Sequence, residues 1–544
     1  MELNLATVTE AVALRHPTRE AIVWGDLRLT YGQLNDRARR LANHLLGAGL
    51  AVRAERDQLE PWESGQDHLA LYLFNGNEYL EGMLGAYKAR VAPFNVNYRY
   101  VEEELRYLLD DAGAKAIIYH SQFAPRLAAI RDDLPELQVF LQVADDSGND
   151  LLPGAQWYEE ALAAADPGEP PVTPSVDDLY ILYTGGTTGM PKGVLWRQAD
   201  IFVAALGGRH PLTGEPYQSL DEILEISDGG AGTKVVPAPP FMHGAAHWLA
   251  FNAFSGGYTI VIPPTTTVFD APELIATIRD EQVNILLVVG DAFARPIVDS
   301  LERDPVELPS LVAFISGGAA LSAPIKDRIL AVLPGCAVID AVGASETGQQ
   351  ARQITAAGQS ASTGTFSPAA GMCIVSEDLT HLLSPDDKEL GWLAQAGQVP
   401  LGYLGDEAKT TRTFPTIDGV RYSVPGDRAN YTGDGLLELH GRDSVTINSG
   451  GEKIFAEEVE AALAHHAAVY DSIVTGRPSE RWGNEVIAVV QLRDGAQATP
   501  DELLAEMEKH LARYKLPKAF VFVDRIQRSP SGKADYRWAK EQAG

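Results

Sequence analysis

Tyr183-Thr-Gly-Gly-Thr-Thr-Gly-Met-Pro-Lys-Gly-Val194 is the stretch on which the fold and the chemistry of this chain turn. The apolar run Leu179 to Tyr183 leads into it and reads as a strand, and a helical pattern follows it. Gly185, Gly186 and Gly189 open backbone conformations closed to other residues, so several N–H groups can face one anion. Thr184, Thr187 and Thr188 add hydroxyl donors, and Lys192 adds a point charge. Together they read as a cradle for a polyphosphate. It is not the loop in which Ser or Thr follows the lysine, because Pro191 precedes Lys192 and Gly193 follows it. A bare Gly/Thr hairpin without a ligand is the weaker reading for so dense a set of donors.

Outward from this loop, apolar runs alternate with amphipathic helical patterns. Strands are expected at Ala21 to Trp24, Leu69 to Phe74, Ala116 to Tyr119, Thr259 to Ile262, Ile285 to Val289 and Val312 to Ser316. Helices are expected at Tyr31 to Leu46 and Tyr79 to Lys88. The alternation predicts an α/β chain built on mostly parallel sheets. Arg53 to Asp67 and Ala164 to Ser175 are polar or Pro-rich and read as a surface insert and a linker.

The chain has 544 residues, too many for one compact core, and a net charge of -30. So acidic a surface repels phosphate backbones and anionic lipid, which argues against nucleic-acid and membrane-surface partners. Two cysteines, Cys336 and Cys373, cannot build a disulfide scaffold, and a reducing cytoplasm is expected. No signal peptide, membrane span or peroxisomal tail is legible, and no carrier-protein motif follows the last domain. The segment 442–544 carries 14 Lys+Arg against 16 Asp+Glu, so the acidity lies before it. We expect residues 1–440 to form a large domain, 441–445 a hinge, and 446–544 a small domain.

Further blocks fall in order along the chain: Pro93 to Asn97, Phe241-Met-His-Gly244, Ser316-Gly-Gly-Ala-Ala-Leu-Ser322, Val342-Gly-Ala-Ser-Glu-Thr-Gly348, Ser423-Val-Pro-Gly-Asp427, Gly441-Arg442, Asn448-Ser-Gly-Gly-Glu-Lys-Ile454 and Ser529-Pro-Ser-Gly-Lys533. Glu346 is a carboxylate at a strand end, where it can meet a ligand. Asp427 follows Pro425-Gly426, a turn from which a carboxylate can accept both hydroxyls of a ribose.

With the glycine–threonine loop, these blocks resemble the adenylate-forming superfamily of acyl- and aryl-CoA synthetases over about Leu27 to Trp538. Bacterial fatty-acid and sterol side-chain CoA ligases are the most similar members. The resemblance implies a large domain of layered sheets and helices with a small mobile α+β domain. It also implies ATP, Mg2+ and CoA as partners of a carboxylic-acid substrate, and it permits a homodimer.

The implied roles are these. ATP or AMP is held by Thr184, Gly185, Gly186, Thr187, Thr188, Gly189 and Lys192, by Gly317, Gly318, Ala319 and Ser345, and by Asp427 and Arg442. Glu346 holds the metal, and Lys533, Glu346, His243 and Thr187 carry catalysis. Ser449, Gly450, Gly451 and Glu452 meet CoA. The implied reaction joins two anions, a carboxylate and the ATP α-phosphate, and an ammonium between them offsets their repulsion.

The sequence departs from the family pattern in three places. Gly185 stands where Ser is common, Val342 where Tyr is usual, and Ser444 at the hinge position usually held by Asp. Small residues around Trp248, Phe251 and Phe254 predict room for an apolar acyl group, a medium or long fatty acid or a steroid side-chain acid. An acyl-AMP enzyme that serves a carrier protein, or an aryl-acid ligase, is the alternative.

Overall fold

The computed structural model describes residues 2–544 except 187–188, 212, 360–363, 433–434, 450–451, 480–481 and 530–531. Its largest element is an eight-stranded sheet. Six inner strands, Ala337–Ala344, Ala313–Gly317, Ile285–Val288, Lys234–Pro237, Thr259–Ile262 and Glu20–Trp24, run parallel in that order. Gly348–Thr355 and Leu27–Thr30 close the two edges antiparallel. Thr259–Ile262 and Ile285–Val288 are short apolar runs, as expected of strands inside a parallel sheet. A second, wholly parallel sheet holds Ala92–Asn95, His68–Tyr72, Ala114–His120, Val139–Val143 and Gln156–Trp157.

Parallel pairing stops there. Strands between 365 and 442, apart from Gly402–Tyr403, form an antiparallel sheet, and a three-stranded antiparallel sheet pairs Leu179–Gly186 with Gly189–Arg197 and the latter with Gly402–Tyr403. This corrects the expected helical pattern after the glycine–threonine loop. The segment from Gly189 is a strand, Val194, Leu195 and Trp196 are all fully buried, and the helix Gln198–Ala204 begins only afterwards. The insert 53–67 is also tied down, since Asp67 is buried and accepts from the Ala51 N–H at 2.9 Å and from Arg53 Nη2 at 2.6 Å.

The C-terminal segment has its own five-stranded sheet and its own apolar core, with Ile447, Val459, Val474, Val489 and Leu503 buried. Asp443–Val445 is a short 3-10 turn between the last strand of the preceding sheet, Leu437–Arg442, and the first strand of this one, Ile447–Ser449. Contacts across the junction include Lys453 with Glu377 at 3.2 Å and the Arg295 guanidinium over the Tyr470 ring at 5.0 Å. Among the described residues no helix is long and apolar enough to cross a membrane.

Candidate active site

The C-terminal ends of the parallel strands open into a cavity of about 1760 Å³, the place where open α/β sheets bind ligands. The antiparallel turn Ala344 to Gly348 lies at its rim. Thr347 holds that turn, accepting from the Ala344 N–H at 3.0 Å and donating to the Gly348 carbonyl at 3.1 Å. Gly343 is obligatory here, because a Cβ would stand 2.4 Å from the Gly348 carbonyl oxygen.

The three-stranded sheet reaches the same turn twice. Trp196 Nε1 donates to the Ser345 carbonyl at 2.8 Å, and the Tyr403 hydroxyl donates to Glu346 Oε1 at 2.9 Å. Ser423 fastens the Glu346 carbonyl at 2.6 Å from the other side. Glu346 is thereby buried with one carboxylate oxygen fixed in place. Lys409 Nζ stands 3.9 Å from the Tyr403 ring centroid, and burial pushes its pKa down while Glu346 pulls it up.

Asn95, from the Pro93–Asn97 block, joins the phosphate-loop strand to the His243 segment. Its Nδ2 donates to the Tyr183 carbonyl at 2.8 Å and to the Met242 carbonyl at 2.7 Å, and its Oδ1 accepts from the Tyr183 N–H at 2.7 Å. His243 caps the helix Gly244–Gly256 and lines the cavity. Burial, then the positive charge of Lys533, holds its imidazole down at about 3, so it is neutral in ordinary buffers. Its Nε2 is buried and without a hydrogen-bond partner among the described residues. His247 is structural, as its Nδ1 meets the Phe241 carbonyl at 2.8 Å and its Nε2 the Tyr180 hydroxyl at 2.5 Å.

Asp427 and Arg442 face each other across two paired strands, with Arg442 Nε 3.4 Å from Asp427 Oδ1. Burial raises the Asp427 carboxyl against the pull of Arg442. Lys533 lines the cavity beside them. Surrounding protein pushes its pKa down and the like charge of Arg442 adds to this, while Glu346 and Asp427 act in the opposite sense.

Thr184, Gly317, Gly318, Ser345, His243 and Lys533 are thus gathered on one cavity, with Glu346, Asp427 and Arg442 grouped around Lys533. Ala319 supports the neighbouring turn, close to Gly290. Gly185, Gly186 and Gly189 occupy the ends of the two hairpin strands. Lys192 does not face the cavity; its Nζ pairs with Asp111 at 3.4 Å, the carboxylate that also accepts from the Tyr183 hydroxyl at 2.9 Å.

Ser449 and Glu452 pair with each other in the small domain, outside the cavity. Thr187, Thr188, Gly450 and Gly451 lie outside the described residues. On the acyl side, Trp248 lines the cavity as expected, whereas Phe251 and Phe254 are buried in the core on the opposite face of their helix. Tyr403, Trp196 and Lys409 are site residues that no motif announced, whereas Ser423 opens the block that carries Asp427.

Residues 9–404 match the AMP-binding enzyme family and residues 458–533 match the AMP-binding enzyme C-terminal domain. The chain belongs to the AMP-binding enzyme family. It is 55% identical over 540 residues, covering 99% of this chain and 98% of the relative, to a protein of Mycobacterium avium named medium-chain acyl-CoA ligase Mig. It is 40% identical, over 100% of this chain and 96% of the relative, to the 3-oxocholest-4-en-26-oate–CoA ligase of Rhodococcus rhodochrous. Among solved structures, ATP-bound MatB from Rhodopseudomonas palustris superposes with a TM-score of 0.80 at 23% identity, each chain 99% covered, which establishes the shared fold.

Proposed function

We propose that this enzyme, an AMP-forming acyl-CoA synthetase that uses ATP, Mg2+ and CoA, activates an aliphatic carboxylic acid of the medium- to long-chain or steroid side-chain class. The observation that carries the substrate class is the continuity of the cavity. The polar end at Lys533, Thr184 and His243 opens without a break into an apolar arm lined by Leu249, Leu287, Ile315 and Ile339. An amphiphilic acid fits such a space with its carboxylate at the polar end.

In the first half-reaction the substrate carboxylate attacks the ATP α-phosphorus and pyrophosphate leaves. Lys533 stands between the two anions and stabilises the charge that spreads over the transition state. Asp427 accepts the ribose hydroxyls, and Arg442 and the hydroxyl of Thr184 hold phosphate oxygens. Neutral His243 lines the cavity and orients the carboxylate. Glu346 suits a hard cation, because Tyr403 fixes one carboxylate oxygen and leaves the other to bind. No cluster of three or more acidic, His or Cys side chains gathers among the described residues, so nucleotide oxygens and water would complete the shell. A cation held there supplies positive charge to the phosphates.

In the second half-reaction the CoA thiol displaces AMP. We assign the 441–445 segment as the pivot that withdraws Lys533 and brings Ser449–Glu452 to the cavity. The position of Ser449 and Glu452 outside the cavity, while Lys533 is inside it, supports that motion. A cytoplasmic setting suits the two free cysteines, Cys336 and Cys373.

The test is product analysis with octanoate, hexadecanoate, benzoate and 3-oxocholest-4-en-26-oate in turn. Acyl-CoA and AMP formed in equal amounts from an aliphatic or steroid acid support the reading. Turnover of benzoate alone, or adenylate that CoA never discharges, contradicts it.

A further inference from the structure

The apolar arm of the cavity runs between two walls. One wall is a stripe of the helix Gly244–Gly256 made by Ala245, Trp248, Leu249, Asn252 and Ala253, spaced as a single helical face. The other wall is the eight-stranded sheet. Leu287, Ile315 and Ile339 form one register row across three strands, and Val235 and Ile285 form a deeper one. Gly317, beside the reaction centre, lies four residues beyond Ala313, the register partner of Ile285, which sets the depth of this wall at about 13 Å. From Gly244 to Ala253 the helix advances about 14 Å. The two walls are therefore of similar depth.

Tyr258 stands at the far end of both walls. It follows Gly257, the left-handed C-cap of the helix, and precedes the strand Thr259–Ile262, so it stands at the N-terminal edge of the sheet while lining the cavity. Its ring lies in a slot made by two glycines. A Cβ at Gly256 would stand 2.7 Å from the ring Cζ, and one at Gly230 would stand 3.0 Å from Cδ1. The backbone is anchored as well, because the Tyr31 hydroxyl donates to the Tyr258 carbonyl at 2.7 Å. A ring so held does not swing aside cheaply.

We propose that Tyr258 is the specificity-determining residue that ends the acyl arm, so that the substrate is a medium-chain acid and longer chains are rejected at its ring. The assignment rests on the acyl-CoA synthetase reading above. It narrows that reading from a broad aliphatic class to one chain length, with a named residue as the stop.

The experiment compares kcat/KM for octanoate, dodecanoate and hexadecanoate in the wild type, Tyr258→Ala, Tyr258→Leu and Tyr258→Phe. Wild type and Tyr258→Phe, which keep the ring, are expected to favour octanoate over hexadecanoate. In Tyr258→Ala the hexadecanoate-to-octanoate ratio is expected to rise about tenfold or more. Tyr258→Leu, a milder truncation should the alanine variant fold poorly, is expected to move it in the same direction. A merely structural tyrosine would lower all three acids in proportion. That outcome, or a wild type that already uses hexadecanoate as well as octanoate, overturns the assignment of Tyr258 and leaves the synthetase reading intact. Absence of adenylation with every acid overturns the reading itself and the inference with it.

Discussion

Lys533 lies against Gly318: a Cβ placed on Gly318, whose φ is +87°, would stand 3.8 Å from Lys533 Cε. The preceding Gly532, at φ +75°, packs against the large domain, where a Cβ would meet Ala292, Phe293 and the Val289 carbonyl at 3.2 Å. The small domain is therefore docked with Gly532 against the large domain and Lys533 lining the cavity. For Lys533→Ala we expect adenylation to fall about 100- to 1,000-fold, the scale of losing one charge-stabilising donor. Acyl-CoA formation from supplied acyl-AMP should persist. Equal loss in both half-reactions would contradict the assigned role.

On the proposed assignment of Glu346 to a cation, Tyr403 would act on that cation only through Glu346. Removing its hydroxyl frees the carboxylate oxygen that accepts from it at 2.9 Å. Tyr403→Phe is expected to raise the Mg2+ concentration for half-maximal adenylation about tenfold, as loss of an outer-shell partner does. An unchanged Mg2+ titration would show that Glu346 needs no such support.

The pH profile follows from two groups. Protein around Lys533, then Arg442, lowers its pKa from the usual value of about 10.4, so the required ammonium is lost at a lower pH than for a free lysine. Adenylation should fall as pH rises through that lowered value. Activity left in Lys533→Arg should lack the alkaline fall, since a guanidinium stays charged. His243, held at about 3, contributes no limb between about pH 5 and 8. An acid-side fall in that range that disappears in His243→Gln would contradict the neutral assignment.

Glu457 gives a stability test at the domain junction. Its Oε2 is 2.7 Å from where a Cβ would sit on Gly441. Burial, then Asp427, raises its carboxyl to about 7 against the pull of Arg442. The folded protein therefore keeps a proton that the unfolded chain loses near its ordinary pKa of about 4.3. Stability conferred by the neutral carboxyl is full below about 4.3, declines as pH rises towards 7, and stays lower above it. Glu457→Gln is expected to raise Tm at about pH 8 and to change it little at about pH 4. A lower Tm at the alkaline pH would contradict this.

Much of the layered core was legible, because inner parallel strands such as Ile285–Val288 and Thr259–Ile262 read as short apolar runs; Thr259–Ile262 has the same bounds in sequence and structure. Gly189–Arg197 was not legible as a strand. Its Gly and Pro content hides a segment whose extended form is set by its partners Leu179–Gly186 and Gly402–Tyr403. The site motifs placed Glu346, Asp427 and Lys533 together around one cavity. Their supports were invisible, since Tyr403 and Trp196 reach residues 57 and 149 positions away along the chain. Helical spacing did carry the signal that Trp248 and Asn252 face one way and Phe251 and Phe254 the other, although composition alone blurred it.

The most direct test of the central claim is a rapid-mixing measurement with octanoate, ATP and Mg2+ in the absence of CoA. We expect a burst of pyrophosphate equal to the enzyme concentration, with octanoyl-AMP retained on the protein until added CoA converts it to octanoyl-CoA. Pyrophosphate that forms only when CoA is present, or release of ADP and phosphate in its place, would contradict activation of the carboxylate as an adenylate in this cavity.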